Sequence, residues 1–250
     1  MPLKPDWIPG VDGSYTRLTP QAAEDLRAAG ELVWWQCLWT GAEQPPNRIK
    51  NLQIAVAAGL IPMAYISLAA GAGGRWHLEH GRAGVPDDLW QALVLVVVDV
   101  ELPAIAGMAV RDAVEALATP EYGEKRRAIY TSYHAWVDLM HNPTTFTDCL
   151  LINALWDEDP DIDFAGLPYG GWTLDQLVGE QFNGGTEIAG VYVDLDMFNR
   201  SLLEVAMPDD IARLALLVQL AGWIMSGDPA LAEKAYMTLK YLRLVGGLPV

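Results

Sequence analysis

Asp99 and Glu101 stand one residue apart at the end of an apolar run, Leu93–Val98. Strand side chains alternate, so in an extended segment Asp99 and Glu101 point to one side while Val98 and Val100 point to the other. Two carboxyls this close disfavour joint ionisation, and one of them should hold its proton to higher pH. A protonated acid beside an anion is what cleavage of a glycosidic bond requires: the acid serves the leaving oxygen and the anion faces the positive sugar centre. Two further acids sit at expected strand ends. Asp12 follows Ile8–Val11, and Asp194 falls at the close of Gly190–Leu195. The same four acids could alternatively hold a hard divalent cation, since Mg²⁺ and Ca²⁺ take oxygen ligands.

The rest of the chain alternates strands and helices, and that pattern says where these acids must lie. Thr19-Pro20 predicts a helix start, with a hydroxyl cap and a proline at the first position, and Gly30 its stop. A strand is expected over 32–38, a helix over 48–58 ending at Gly59, and a third strand over 61–68. Residues 71–87 are Gly-rich and polar and read as a long loop carrying at most a short helix, with His77, Glu79 and His80 as solvated loop polarity. Leu93–Glu101 is continuously apolar before its acids, as in a parallel strand buried on both faces. Further strands are expected over 127–131, 149–156, 176–182 and 190–195, with helices over 108–117 and 132–140. Eight strands with too few helices predict an irregular TIM-like α/β barrel over residues 1–207. Its active site would lie at the C-terminal strand ends, because burying two carboxylates against the outer helices would cost several kcal/mol. Closing the barrel makes the first and last strands neighbours, which brings Asp12 and Asp194 to the same mouth.

Residues 208–250 read as a separate helical hairpin, with helices over 211–225 and 229–244 broken at Ser226–Pro229. It would pack on the barrel or serve as a homo-oligomerisation or wall-attachment element.

Bulk composition narrows the partners. The 250 residues are 52 % hydrophobic and 19 % charged, so a large core can be buried. A formal net charge of −16 repels nucleic acid and anionic membrane surfaces. Neither an apolar signal segment at the N-terminus nor a membrane-spanning run is evident, which points to a product made in the cytoplasm. Cys37 and Cys149 read as buried free thiols. Ten Trp serve core packing or, in a cleft, stacking on sugar faces. No phosphate-binding loop, nucleotide fingerprint or serine-nucleophile motif appears in its required context.

The ordered set G-V-D12, A-Y65-I-S-L, V-V-D99-V-E101, I-Y130-T-S, G-E-Q181-F and V-Y-V-D194-L-D resembles the glycoside hydrolase family 25 lysozymes, over about residues 8–200. The resemblance implies an N-acetylmuramidase that cleaves the β-1,4 bond between N-acetylmuramic acid and N-acetylglucosamine in peptidoglycan, with retention and without metal or organic cofactor. It implies Glu101 as general acid/base, Asp99 as stabiliser of the positive centre or orienter of the acetamido group, and Asp12 and Asp194 as supporting carboxylates. Tyr65, Tyr130, Trp156 and Gln181 would line the cleft. Many relatives are bacteriophage endolysins, which act on the wall after release. The competing expectation is a weakly active or non-catalytic barrel that serves as a virion or wall component.

Overall fold

A computed structural model describes residues 7–102, 105–160 and 168–206. Eight strands close into a barrel in sequence order. They are β1 (Trp7–Gly13), β2 (Val33–Trp39), β3 (Ile61–Ser67), β4 (Val96–Asp99), β5 (Arg127–Ser132), β6 (Leu150–Ala154), β7 (Leu177–Ile188) and β8 (Val191–Asn199). Strands β1 to β7 run parallel, and β8 is antiparallel to both β7 and β1. The irregular eight-stranded barrel expected from the pattern is therefore the observed architecture. Its departure from strict alternation has a specific form: a tight hairpin at Ala189-Gly190 joins β7 to β8 where a crossover helix would otherwise stand.

Helices α1 (Pro20–Ala29) and α2 (Arg48–Ala58) end where the sequence places their stops, at Gly30 and Gly59, both in the left-handed conformation. The Thr19 side chain accepts a hydrogen bond from the Ala22 amide, which caps α1. The segment 71–87, expected as a long loop or a loop with a short helix, is the second of these. It holds α3 (Gly74–Arg82), and α4 (Asp87–Ala92) follows. Helix α5 (Gly107–Leu117) covers β4 and β5, a π-helical segment, His134–Leu139, follows β5, and α6 (Arg200–Ala206) follows β8. The hairpin expected over 208–250 lies outside the described residues.

Alternation along each strand splits the core in two. The outward set, including Val11, Trp34, Leu38, Ile66, Val96, Val98, Ile129 and Leu151, packs with the helices. The inward set fills the barrel. Phe198 plugs its lower part, wedged between Gly10 and Gly179, where any Cβ would lie 2.8 Å from the ring. Trp35 stands above it, edge-on to Phe198, Tyr65 and Tyr130 at centroid separations of 6.2, 4.9 and 5.3 Å. This aromatic stack forms the apolar floor on which the acidic mouth rests. Cys37 and Cys149 are free, buried thiols.

Candidate active site

The mouth opens at the C-terminal ends of the parallel strands. Asp12 is the penultimate residue of β1, and its register partner on β8 is Asp194. The two acids sit side by side because β8 runs backwards: its first half lies at the end of the barrel where β1 finishes. Asp194 thus belongs inside a longer strand instead of at its close. Asp99 ends β4, flanked in register by Ser67 of β3 and Tyr130 of β5, and Glu101 follows two residues later. A cavity of about 240 Å³ is lined by Asp12, Trp35, Tyr65, Asp99, Glu101, Tyr130, Trp156, Gln181 and Asp194. All eight side chains singled out in the sequence converge there, and Trp35 is the addition.

Gln181 is the hub of the polar contacts. Its Nε2 donates to Asp12 Oδ2 at 2.5 Å, and its Oε1 accepts from the Tyr130 hydroxyl at 2.7 Å and from Trp156 Nε1 at 2.6 Å. The Gln181 carbonyl also accepts from the amides of Leu155 and Trp156, which holds Trp156 in a left-handed backbone conformation, φ 55°. The indole is anchored by its N–H edge while its ring stays exposed. Ser67 Oγ donates to Asp99 Oδ2 at 2.5 Å, and the Gly185 amide donates to Asp194 Oδ1 at 2.5 Å. Asp99 Oδ1 and the Trp35 indole N–H are buried with no protein partner among the described residues.

Burial dominates the electrostatics. It pushes the Asp99 carboxyl up to about 7, with Glu101 repulsion adding and the Ser67 hydrogen bond opposing. Glu101 is raised by burial and by Asp194, and the nearby Tyr130 hydroxyl restrains the rise. Tyr130 has one proton and gives it to Gln181. A protonated Glu101 can therefore donate to the Tyr130 oxygen, whereas an ionised Glu101 competes with Gln181 for the hydroxyl proton. Asp12 is raised strongly, by burial first and then by Asp194, and Asp194 itself is raised by burial. Among the described residues, no group of three or more His, Cys, Asp or Glu has the geometry to hold a metal ion.

Sequence reasoning passed over three residues at this end of the barrel. Asp196 is fully buried, with neither carboxyl oxygen hydrogen-bonded among the described residues, and burial with Asp12 repulsion raises it strongly. The signal was available: D-L-D at 194–196 has the same spacing as D-V-E at 99–101, so alternation places both acids inward. Trp35 lies two residues from Val33 on an inward face, but a Trp-rich run does not reveal which indole points in. Ser67 needed the β3–β4 register. His77 corrects the expectation of solvated loop polarity. It is buried on α3, its Nδ1 accepts from Trp39 Nε1 at 2.9 Å, and its Nε2–H faces the Ala69 carbonyl at 3.1 Å.

No family model matches the chain, and no curated protein matches it in sequence. Solved structures do match its fold. A muramidase from Trichobolus zukalii aligns at 21 % identity and a TM-score of 0.62, covering 80 % of this chain and 97 % of its own. A family GH25 lysozyme from Aspergillus fumigatus aligns at 18 % identity and a TM-score of 0.63, covering 81 % and 100 %. The modular autolysin LytC from Streptococcus pneumoniae, solved with a synthetic peptidoglycan ligand, aligns at 9 % identity and a TM-score of 0.52, covering 77 % and 46 %. The chain shares the barrel fold of these proteins.

Proposed function

We propose that this protein is a glycoside hydrolase of the muramidase type, acting on peptidoglycan. The observation that carries the reading is the convergence of Asp12, Asp99, Glu101 and Asp194 on one aromatic-walled cavity with no basic residue in its lining among the described residues. An acid-lined, cation-free pocket is suited to a positive charge that develops during reaction, as at the anomeric carbon of a breaking glycosidic bond. The fold shared with muramidases and lysozymes, one of them solved with a peptidoglycan ligand, supports the substrate class.

The Asp99–Glu101 pair holds one proton to near neutrality. Asp99 is the deeper and drier of the two, so it retains the proton in the empty site. When substrate brings developing positive charge beside Asp99, ionisation of Asp99 is favoured and the shared proton moves to Glu101, which is only partly buried, stands closer to solvent and can pass it to a leaving oxygen. Once that oxygen departs, the Glu101 carboxylate can take a proton from the incoming water. With the shared proton handed to Glu101, Asp99 is the anion that opposes the sugar's positive charge, and the less buried Asp194 adds to its field. Retention at the anomeric carbon and a role in phage lysis belong to the same proposal and are supported by the motif resemblance.

Digestion of purified peptidoglycan followed by mass spectrometry tests the reading, with muramic acid expected at the new reducing ends. Reducing-end glucosamine, or no new reducing ends, would overturn it. Glu101→Gln is expected to keep the fold and lower turnover by a factor of at least about 100.

A further inference from the structure

The reaction as drawn leaves a second cavity unused. It has a volume of about 480 Å³ and is lined by Trp156, Glu158, Phe182, Tyr192, Asp194 and residues 183–185. Trp156 and Asp194 line both cavities, so the second adjoins the first beneath the β7–β8 hairpin. Two of its three rings are exposed yet held. Trp156 is 61 % exposed with its indole N–H tied to Gln181, and Tyr192 is 64 % exposed. The Tyr192 hydroxyl lies over Gly185, where a Cβ would come within 2.3 Å, and the Tyr192 carbonyl accepts from the Thr16 hydroxyl. Fixed rings with free faces are what an alternately apolar and polar sugar ring stacks on, at little cost in side-chain entropy.

Charge then selects which sugar. Among the described residues, no Lys, Arg or His lines either cavity. Glu158 is exposed at the second one, between Asp157 and Asp159, which are exposed as well. A ring bearing a carboxylate would meet like charge with no cation to pair with. An ammonium would meet carboxylates and the faces of Trp156 and Tyr192, both of which attract cations.

We propose that the compartment beneath the β7–β8 hairpin is a second saccharide site that takes an amino sugar without a carboxylate, and that it prefers a free ammonium to an acetylated nitrogen. The proposal rests on the hydrolase reading only in taking the ligand to be a glycan. Under that reading it makes N-deacetylated strands the favoured substrates.

Calorimetric titration of the full-length Glu101→Gln protein with the tetramers of glucosamine and of N-acetylglucosamine, at mildly acidic pH where the amine is protonated, separates the two claims. The glucosamine tetramer is expected to bind roughly threefold to tenfold more tightly, with the ratio shrinking as added salt screens the exposed charge. Glu158→Gln should remove most of that ratio and leave the acetylated tetramer's affinity unchanged, while Tyr192→Ala should weaken both. Equal affinities, tighter binding of the acetylated tetramer, or a preference that survives Glu158→Gln would overturn the proposal. Because binding is read without turnover, a selective site in a protein that releases no muropeptides would sink the hydrolase reading alone.

Discussion

Gln181 contacts three groups at once through a single buried amide: an acid, a phenol and an indole. Replacing it by leucine of similar size removes all three bonds and leaves Asp12 Oδ2 and the Tyr130 hydroxyl without them. Each buried orphan costs on the order of 1–3 kcal/mol, so Gln181→Leu should lower the melting temperature and free the Trp156 ring to move. On the proposed reaction, KM should rise as kcat falls, because Trp156 and the acids lose position together. Gln181→Glu, which can still accept from Trp156 and Tyr130, should recover part of the Trp156 environment, as read by tryptophan fluorescence. A Gln181→Leu protein with wild-type fluorescence and KM would show that Trp156 is positioned by other groups. At this scale, strand alternation was enough to find acids at spacing two and to expect them inside the barrel. It could not find an orphan indole N–H at Trp35, because which of two adjacent tryptophans points inward depends on the strand's phase. Nor could it find the amide hub, since Gln181 meets Asp12 across 169 residues of chain.

The elements were legible where their ends carry chemistry. Thr19, Pro20, Gly30 and Gly59 mark helix limits by hydrogen-bonding capacity and backbone freedom, and α1 and α2 stop accordingly. The short helix allowed within 71–87 had no readable start, because Gly71–Gly74 resembles a loop. In the structure Gly74 opens the helix and abuts α5, where a Cβ would lie 1.9 Å from the Ala109 carbonyl oxygen. That glycine serves close helix packing, and nothing local distinguishes this use from a turn. The reversal of β8 was equally silent, because a strand's pattern of apolar residues reads the same in both directions. Its consequence reaches beyond the acidic mouth: Phe198 enters the barrel from β8 and fills the space left by Gly10 and Gly179. Gly179→Ala would place a Cβ 2.8 Å from that ring and 3.3 Å from the Met197 carbonyl oxygen. Overpacking of this kind costs about 1–3 kcal/mol. Adding Phe198→Leu should recover part of the loss, since the smaller side chain can yield. A double variant no more stable than the sum of the single losses would place the strain in the backbone contact instead of the ring.

Across the whole molecule, acid burial ties stability to pH in a direction opposite to that of a typical ion-paired carboxylate. Asp12, Asp99, Glu101, Asp194 and Asp196 are all raised, mainly by desolvation, with Asp99 pushed up to about 7. Between the unfolded carboxylate range near pH 4 and the raised native values, the folded chain binds more protons than the unfolded one, so stability falls as pH rises through that window. Below it both states are protonated and this contribution is fully present. The −16 formal charge adds self-repulsion in the same direction as the acids ionise. Thermal unfolding followed by scanning calorimetry should therefore give a midpoint several degrees higher near pH 5 than near pH 8. Asp196→Asn should flatten that slope chiefly by stabilising the protein at the alkaline end, because an amide in place of that buried acid has no ionised form to bury. The proposed hydrolysis needs one of the same protons, the one shared by Asp99 and Glu101, so its rate should fall through about pH 7 on its alkaline limb. In Asp196→Asn the rate should keep that limb while the melting profile loses part of its slope. A melting midpoint that rises toward pH 8 would mean that the buried acids are stabilised as anions by partners the barrel does not show.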